Sequence, residues 1–405
     1  MPPAEGGGME IFMTQPSRIS AGLYLHIPFC VSRCLYCDFL STTLGSEMQS
    51  RYFSVLRREI LHAASLGFGK KFRILSVFFG GGTPSLPDAM LIADILDTIR
   101  SCFELAPDAE ITLECNPGTL NDEKLHMYRK AGINRLSIGL QSADNKLLKS
   151  LGRIHDFETF RREYTAARDA GFQNISVDLM YDLPGQSREQ FRDTLRQVLS
   201  LPDPPQHLSA YSLIIEPGTP FWERYHEDAE RKALGDCPLF LPSEDEEAGM
   251  LSDLKSILSG TGFHRYEISN WALNGFESVH NKGYWERRPY LGFGLGASSQ
   301  ADHMRWKNTS DLNEYLSCSF ARKEVTHLSR SNEMEETMFL GLREMKGVTR
   351  QHFQEQFGVS MDEVYGRVLS NLTELHLLSD DGSAVRLTDR GISISNVVLA
   401  EFLLD

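Results

Sequence analysis

From Gly22 onward, short runs of β-branched and aromatic residues alternate with longer amphipathic stretches, the pattern of βα units wound around a parallel sheet. Six strands are predicted: Leu23–Ile27, Ile74–Phe79, Ile111–Glu114, Arg135–Leu140, Ile175–Met180 and Leu208–Ile214. Helices are predicted near Glu47–Ser65, Pro87–Arg100, Asp122–Ala131, Phe157–Ala170 and Arg188–Leu199, with Gly132 and Gly171 where C-caps are expected. Residues 217–247 are proline-rich and charged and read as a loop leading into a helix that runs through Leu258. Aromatic and glycine-rich residues 263–303 read as irregular chain with short strands. Past Leu328 come three helices, then LLSDDGSAVRLT as strand, acidic turn and strand, then a last helix, which is the order of a winged helix. The expected organisation is therefore an N-terminal tail (1–20), an α/β barrel-like unit (21–216), a connecting region (217–327) and an α+β winged-helix-like domain (328–405).

Composition narrows this picture. The chain has 405 residues, enough for two or three domains, and with 41% hydrophobic and 24% charged residues it falls in the globular range. No uninterrupted apolar run approaches the ~18 residues of a membrane span, so no membrane anchor is expected. The N-terminus lacks the basic and apolar regions of a signal peptide, and Met9 and Met13 mark the first residues as a dispensable tail. Net charge is −14, which repels phosphate backbones, and the winged-helix-like segment holds seven Lys or Arg against thirteen Asp or Glu. That segment is expected to pack or bind a protein partner, not nucleic acid.

Three of the seven cysteines, Cys30, Cys34 and Cys37, lie within eight positions directly after the first strand. The C-x3-C-x2-C spacing lets three thiolates converge from one loop, as an iron–sulfur cluster or zinc requires, and argues for a reducing, cytoplasmic setting. Zinc would need a fourth ligand, for which His26 is nearest. A four-iron cluster held by three thiolates keeps one iron open to a ligand. Cys102, Cys115, Cys237 and Cys318 show no ligand spacing and read as free thiols.

Parallel barrels collect functional groups at the C-terminal ends of their strands. Gly80, Gly81 and Gly82 follow the second strand, where glycine lets backbone approach a ligand closely. Glu114 ends the third strand, Gln141 ends the fourth, and Asp178 lies in the fifth, so three polar side chains are expected in the barrel mouth. Gly292-x-Gly294-x-Gly296 lacks the strand and helix of a phosphate loop and reads as a close backbone packing point.

YLHIPFCVSRCLYCDF, with GGGTP after the second strand, resembles the radical S-adenosylmethionine superfamily, in the branch that contains oxygen-independent coproporphyrinogen III dehydrogenase and the HemW heme chaperones. The resemblance runs from about Gly22 to Phe402 and implies a partial (βα)6 barrel with an appended C-terminal domain. It implies a [4Fe–4S] cluster on Cys30, Cys34 and Cys37 whose open iron chelates the methionine moiety of S-adenosylmethionine. Tyr24, Tyr36, Gly81, Gly82, Thr83, Glu114, Gln141, Arg153 and Asp178 match family positions that contact S-adenosylmethionine.

Two local features separate the members of that branch. The dehydrogenases carry a fourth cysteine two residues past the third, where this chain has Phe39. His280-Asn281-Lys282-Gly283-Tyr284-Trp285 is similar to the H-N-x-x-Y-W motif of the chaperones, which implies His280 as an axial iron ligand and Tyr284 and Trp285 as aromatic faces for heme. The expected function is binding heme and delivering it to an acceptor protein, with an electron donor serving the cluster. The alternative is oxidative decarboxylation of coproporphyrinogen III by a 5′-deoxyadenosyl radical, and a zinc-stabilised barrel is a third reading.

Overall fold

The computed structural model describes residues 18–404. Six parallel strands form its centre: β1 (Ile19–Ile27), β2 (Phe72–Gly81), β3 (Glu104–Cys115), β4 (Arg135–Gln141), β5 (Asn174–Tyr181) and β6 (His207–Ser212). Helices cross over between successive strands, so side chains of one parity pack outward beneath them. Leu23, Leu25 and Ile27, then Val77 and Phe79, Leu136, Ile138 and Leu140, and Val177 and Leu179 make that apolar layer. The opposite parity faces the barrel interior and is largely polar: Tyr24 and His26, Ser76, Glu110 and Glu114, Arg135 and Ser137, Ser176 and Asp178, His207 and Tyr211. Burying that many polar groups is tenable only if they pair with each other or with a ligand.

The sheet does not stop at six strands. β7 (His264–Arg265) and β8 (Asn270–Ala272) add antiparallel to β6. On the other side β9 (Tyr290–Phe293) pairs parallel to β1, followed by antiparallel β10 (Ser298–Ala301), β11 (Met304–Lys307) and β12 (Lys323–His327). The expected connecting region is thus part of the same twelve-stranded sheet and lengthens both of its edges. Between the two additions the chain forms the short helix Val279–Trp285.

Several boundaries differ from the expectations, for identifiable reasons. β1 begins at Ile19, inside the expected 1–20 tail, because its first residues pair with β2; residues 1–17 of that tail lie outside the described residues. The expected loop 217–247 contains the helix Pro220–Ala233, capped by the Thr219 hydroxyl with Pro220 in its first turn and Phe221 buried. Proline there starts a helix instead of marking irregular chain. The glycine-rich stretch is a packing point: Gly294 has φ +98°, and a Cβ at Gly292 would meet the Ser298 carbonyl.

The C-terminal domain carries its own core, which includes Met338, Phe353, Tyr365, Val385 and Phe402. Helices Arg330–Gly341, Arg350–Phe357 and Met361–Glu374 pack on a sheet of β13 (Val348–Thr349), β14 (Leu378–Asp380) and β15 (Ala384–Leu387), and the short helices Asp389–Ser393 and Ser395–Ala400 follow. Among the described residues, no helix is long and apolar enough to cross a membrane.

Candidate functional site

At the C-terminal ends of the strands lies a cavity of about 310 Å³, lined by Cys30, Cys34, Cys37, Tyr36, Gly81, Gly82, Thr83, Glu114, Gln141, Arg153 and Asp178 among others. Every expected cluster or S-adenosylmethionine residue except Tyr24 is on that wall. The three thiols are unbridged and half-buried. Burial pushes the Cys30 thiol up and the Cys37 thiol to about 11, so both hold their protons until a metal centre displaces them.

A chain of hydrogen bonds joins two of these thiols through the floor of the cavity. Thr83 Oγ1 donates to Cys30 Sγ at 3.6 Å and accepts from Asn116 Nδ2 at 2.8 Å. Asn116 Oδ1 accepts from Arg153 Nη2 at 2.7 Å, and Arg153 Nη1 donates to Cys34 Sγ at 3.7 Å. Arg153 Nε is buried without a partner. An orphaned guanidinium N–H in a cavity is costly unless an anionic ligand completes it. Gly82 lies against the cluster loop so closely that a Cβ would fall 2.9 Å from the Phe29 carbonyl oxygen and 3.0 Å from Cys30 Sγ. Donor set, orphaned Arg153 and glycine cradle all fit a cluster with a zwitterionic amino-acid ligand.

The carboxylates are arranged differently. Glu114 Oε2 accepts from Gly81 N at 3.2 Å, and burial with nearby Asp178 pushes its carboxyl up to about 8. Asp178 accepts from Ser137 and Ser176 yet is also raised by burial. Gln141 sits at a β-bulge with φ +71° and accepts from Tyr211 Oη at 3.1 Å. A strained polar residue at a strand end is the kind of feature that accompanies a binding site. Asn116, Ser137, Ser176 and Tyr211 were not among the expected site residues. Asn116 lies two residues past Glu114 in ECNP, and the serines have interior parity, so both signals were available.

The H-N-x-x-Y-W residues are spread over three surroundings. His280 enters the barrel interior from the helix Val279–Trp285 and is only 4% exposed. Its Nδ1 bonds Ser76 Oγ at 2.9 Å, its Nε2 bonds Tyr284 Oη at 3.0 Å, and its ring stacks on Phe78 at 4.9 Å. Burial, with Arg135 and Arg288 nearby, holds its pKa down to about 3. Both nitrogens of His280 are thus hydrogen-bonded within the protein, an arrangement that heme ligation through this residue would have to open. Tyr284 instead lines an open groove of about 700 Å³ together with Tyr24, His26, Phe39, Tyr290 and Lys307. Tyr24 therefore belongs to the groove wall, its hydroxyl 3.1 Å from His26 Nδ1. Trp285 points toward the C-terminal domain, with the Arg343 guanidinium 4.5 Å over its ring. Phe39, 63% exposed, lines both the cavity and the groove.

The same short helix closes the other end of the barrel. Glu110 accepts from Val279 N at 3.0 Å, His280 N at 3.1 Å and Ser278 Oγ at 3.3 Å, and Arg135 Nε lies 3.9 Å away. A carboxylate on the exposed N–H groups of a helix start is a favourable arrangement.

A model of the radical SAM superfamily matches residues 24–198, and one of the HemN C-terminal domain matches residues 328–394. The heme chaperone HemW of Lactococcus lactis is 36% identical over 384 residues, 94% of this chain and 97% of that protein. HemW of Bacillus subtilis is 35% identical, over 94% and 98%. Among solved structures, coproporphyrinogen III oxidase HemN of Escherichia coli, described as a radical SAM enzyme, superposes with a TM-score of 0.81 at 24% identity, covering 96% of this chain and 91% of that one.

Proposed function

The chain belongs to the HemW family of the radical S-adenosylmethionine superfamily, and from that premise we propose that it is a heme chaperone, which binds heme and delivers it to an acceptor protein. The observation that carries this reading is the 36% identity to a heme chaperone sustained over 97% of that relative's length. Phe39 supports it, since a large exposed ring stands where the porphyrinogen-oxidising branch carries a further thiol.

Cys30, Cys34 and Cys37 would hold the [4Fe–4S] cluster. Arg153 would pair with the carboxylate of S-adenosylmethionine, Glu114 and Asp178 would accept from its amino and ribose donors, and Tyr36 would cover an apolar face. When bound, the cluster supplies one-electron chemistry to S-adenosylmethionine. The chain's own part is to orient the ligand: the Thr83–Asn116–Arg153 bonds fix the guanidinium, and Gly81 and Gly82 admit the backbone closely. An electron donor and a heme acceptor are the partners this function requires, and the thiol-rich site suits the cytoplasm.

Anaerobically reconstituted protein is expected to take up heme, pass it to a heme-free acceptor, and leave coproporphyrinogen III unconverted. Decarboxylation of that substrate would establish the enzymatic reading in its place.

A further inference from the structure

The register of the central strands sets a row of polar side chains beneath the mouth of the cavity. Ser137 of β4, Ser176 of β5 and His207 of β6 are successive cross-strand partners of interior parity, and Asp178 stands two residues nearer the C-terminal end of β5. Ser176 and His207 are fully enclosed, and all four residues belong to the wall of the cavity that holds the three thiols.

Hydrogen bonds run along this row in one direction. Tyr266, the buried residue after β7, has two partners for its hydroxyl among the described residues: Ser278 N at 3.3 Å and His207 Nε2 at 2.9 Å. An amide N–H only donates, so the phenolic hydrogen has His207 Nε2 as its acceptor. Were Nε2 protonated, that buried hydrogen would be stranded without a partner. Burial, with the Arg135 guanidinium nearby, keeps the imidazole well below its usual pKa range and hence neutral. Its one hydrogen is therefore on Nδ1 and is donated to Ser176 Oγ at 2.8 Å, and the Ser176 hydroxyl donates in turn to Asp178 Oδ1 at 3.3 Å. Tyr266, His207 and Ser176 each donate to the next group, an order in which successive bonds polarise one another.

The chain ends on a carboxyl group of the cavity wall and loads one of its two oxygens. Asp178 Oδ1 accepts from Ser176 and, at 3.0 Å, from Ser137, whereas Oδ2 has only the longer branch of the Ser137 bond at 3.3 Å. Oδ2 is thus the oxygen with acceptor capacity to spare.

We infer that His207 is a positioning residue for S-adenosylmethionine: by donating to Ser176 it commits that hydroxyl to Asp178 Oδ1 and so holds Oδ2 available to an amino or hydroxyl donor of the ligand. The inference rests on the reading of Asp178 as a ligand acceptor and adds the residues behind it that set its geometry. With the opposite tautomer Ser176 would donate to His207, and Asp178 would lose one of the two hydroxyls that hold it. His207 transfers no proton, and its whole effect passes through Ser176.

The test uses the full-length, cluster-loaded protein without oxygen. In protein carrying 15N-labelled histidine, with the cluster oxidised, the His207 ring signals are identified by their loss in His207→Asn. They are expected to show a protonated Nδ1 and a bare Nε2, and the reverse assignment would overturn the inference. Calorimetric titration with S-adenosylmethionine then compares variants. Asp178→Asn is expected to weaken binding roughly tenfold or more, and Ser176→Ala and His207→Ala each roughly three- to tenfold. His207→Asn, whose amide can donate from near the place of Nδ1, is expected to recover most of that loss. Because the histidine acts through the serine, the double variant Ser176→Ala/His207→Ala is expected to bind no more weakly than Ser176→Ala alone. Additive losses, or a loss that His207→Asn shares in full, would overturn the inference. So would wild-type affinity in both His207→Ala and Ser176→Ala while Asp178→Asn is impaired, a result that leaves Asp178 as a ligand acceptor. Unimpaired binding by Asp178→Asn would remove that reading of Asp178, and this inference with it.

Discussion

The two ends of the barrel interior use the same residue types to opposite purposes. At the end closed by the helix Val279–Trp285, Glu110 is met by two backbone amides and the Ser278 hydroxyl, His280 spans Ser76 and Tyr284, and Arg135 Nε, without a hydrogen bond of its own, has the Glu110 carboxylate 3.9 Å away as counter-charge. At the end where the thiols stand, Arg153 Nε has no partner, and Glu114 has one backbone amide while burial, and then the neighbouring Asp178 carboxyl, push it toward the protonated form. A buried polar group with its partners in place closes a structure. One left short of partners on a cavity wall, as Arg153 Nε is, can be completed by a ligand, and the cost of that shortfall is what binding recovers.

That contrast is broken most severely at the thiols. Cys30→Ala, Cys34→Ala or Cys37→Ala in anaerobically prepared protein is expected to reduce iron and acid-labile sulfide to background. Stability should change by less than about 1 kcal/mol, because these side chains are half-exposed and outside the core. Cys115→Ala is the counterpart: this thiol is buried, so the variant should lose stability and retain its iron.

Next in size is the exchange of roles between two glutamates of β3. Glu110→Ala leaves Arg135 buried without its counter-charge and strips the acceptor from the start of the closing helix. The expected loss is about 3–5 kcal/mol of unfolding free energy, read by urea titration. Glu114→Gln should cost little or nothing in the ligand-free protein while weakening S-adenosylmethionine binding in calorimetry. Equal destabilisation by the two substitutions would mean that the mouth is built as the closed end is.

The division between the ends also explains what could be read from the chain beforehand. The six central strands and the cysteine loop were legible because buried parallel strands are short β-branched runs, and because three thiols at fixed spacing have few structural uses. Glu114, Gln141 and Asp178 were legible from strand ends alone. The closed end was not, since Glu110, Ser76 and His280 meet only through long-range pairing, and a histidine near aromatics looks the same in sequence whether it faces a ligand or a serine. The helix Pro220–Ala233 was missed because a proline in charged sequence resembles a loop unless Thr219 is recognised as its cap. The edge strands β7 to β12 are only two to five residues long, too short to declare a period.

A smaller effect separates charge from geometry at the mouth. Arg153→Lys keeps a cation but loses the planar fork that reaches both Asn116 and Cys34. S-adenosylmethionine affinity is expected to fall roughly tenfold, about 1.4 kcal/mol, while hemin binding is unchanged. A parallel fall in both would show that heme and S-adenosylmethionine share one site.

The finest distinction is in pH dependence. Glu114 has a folded pKa of about 8 against an ordinary value of 4.5, with burial as the main cause. Between those values the folded protein holds a proton that the unfolded chain has released, so stability falls as pH rises. Below about 4.5 both states are protonated and no penalty applies; above about 8 both are ionised and the full penalty stands. One such group adds at most about 1.4 kcal/mol per pH unit to the slope. Glu59, pushed up to about 7 by burial, contributes in the same direction away from the mouth. Urea titrations of ligand-free protein between about pH 5 and pH 8 should therefore show a decline that is shallower in Glu114→Gln but persists, because Glu59 is untouched. S-adenosylmethionine, whose amino group would favour the ionised carboxylate, should flatten the wild-type curve toward that of the variant. An unchanged slope in Glu114→Gln would mean that Glu114 is already ionised in the free protein, and the contrast between the two carboxylates of β3 would then fall.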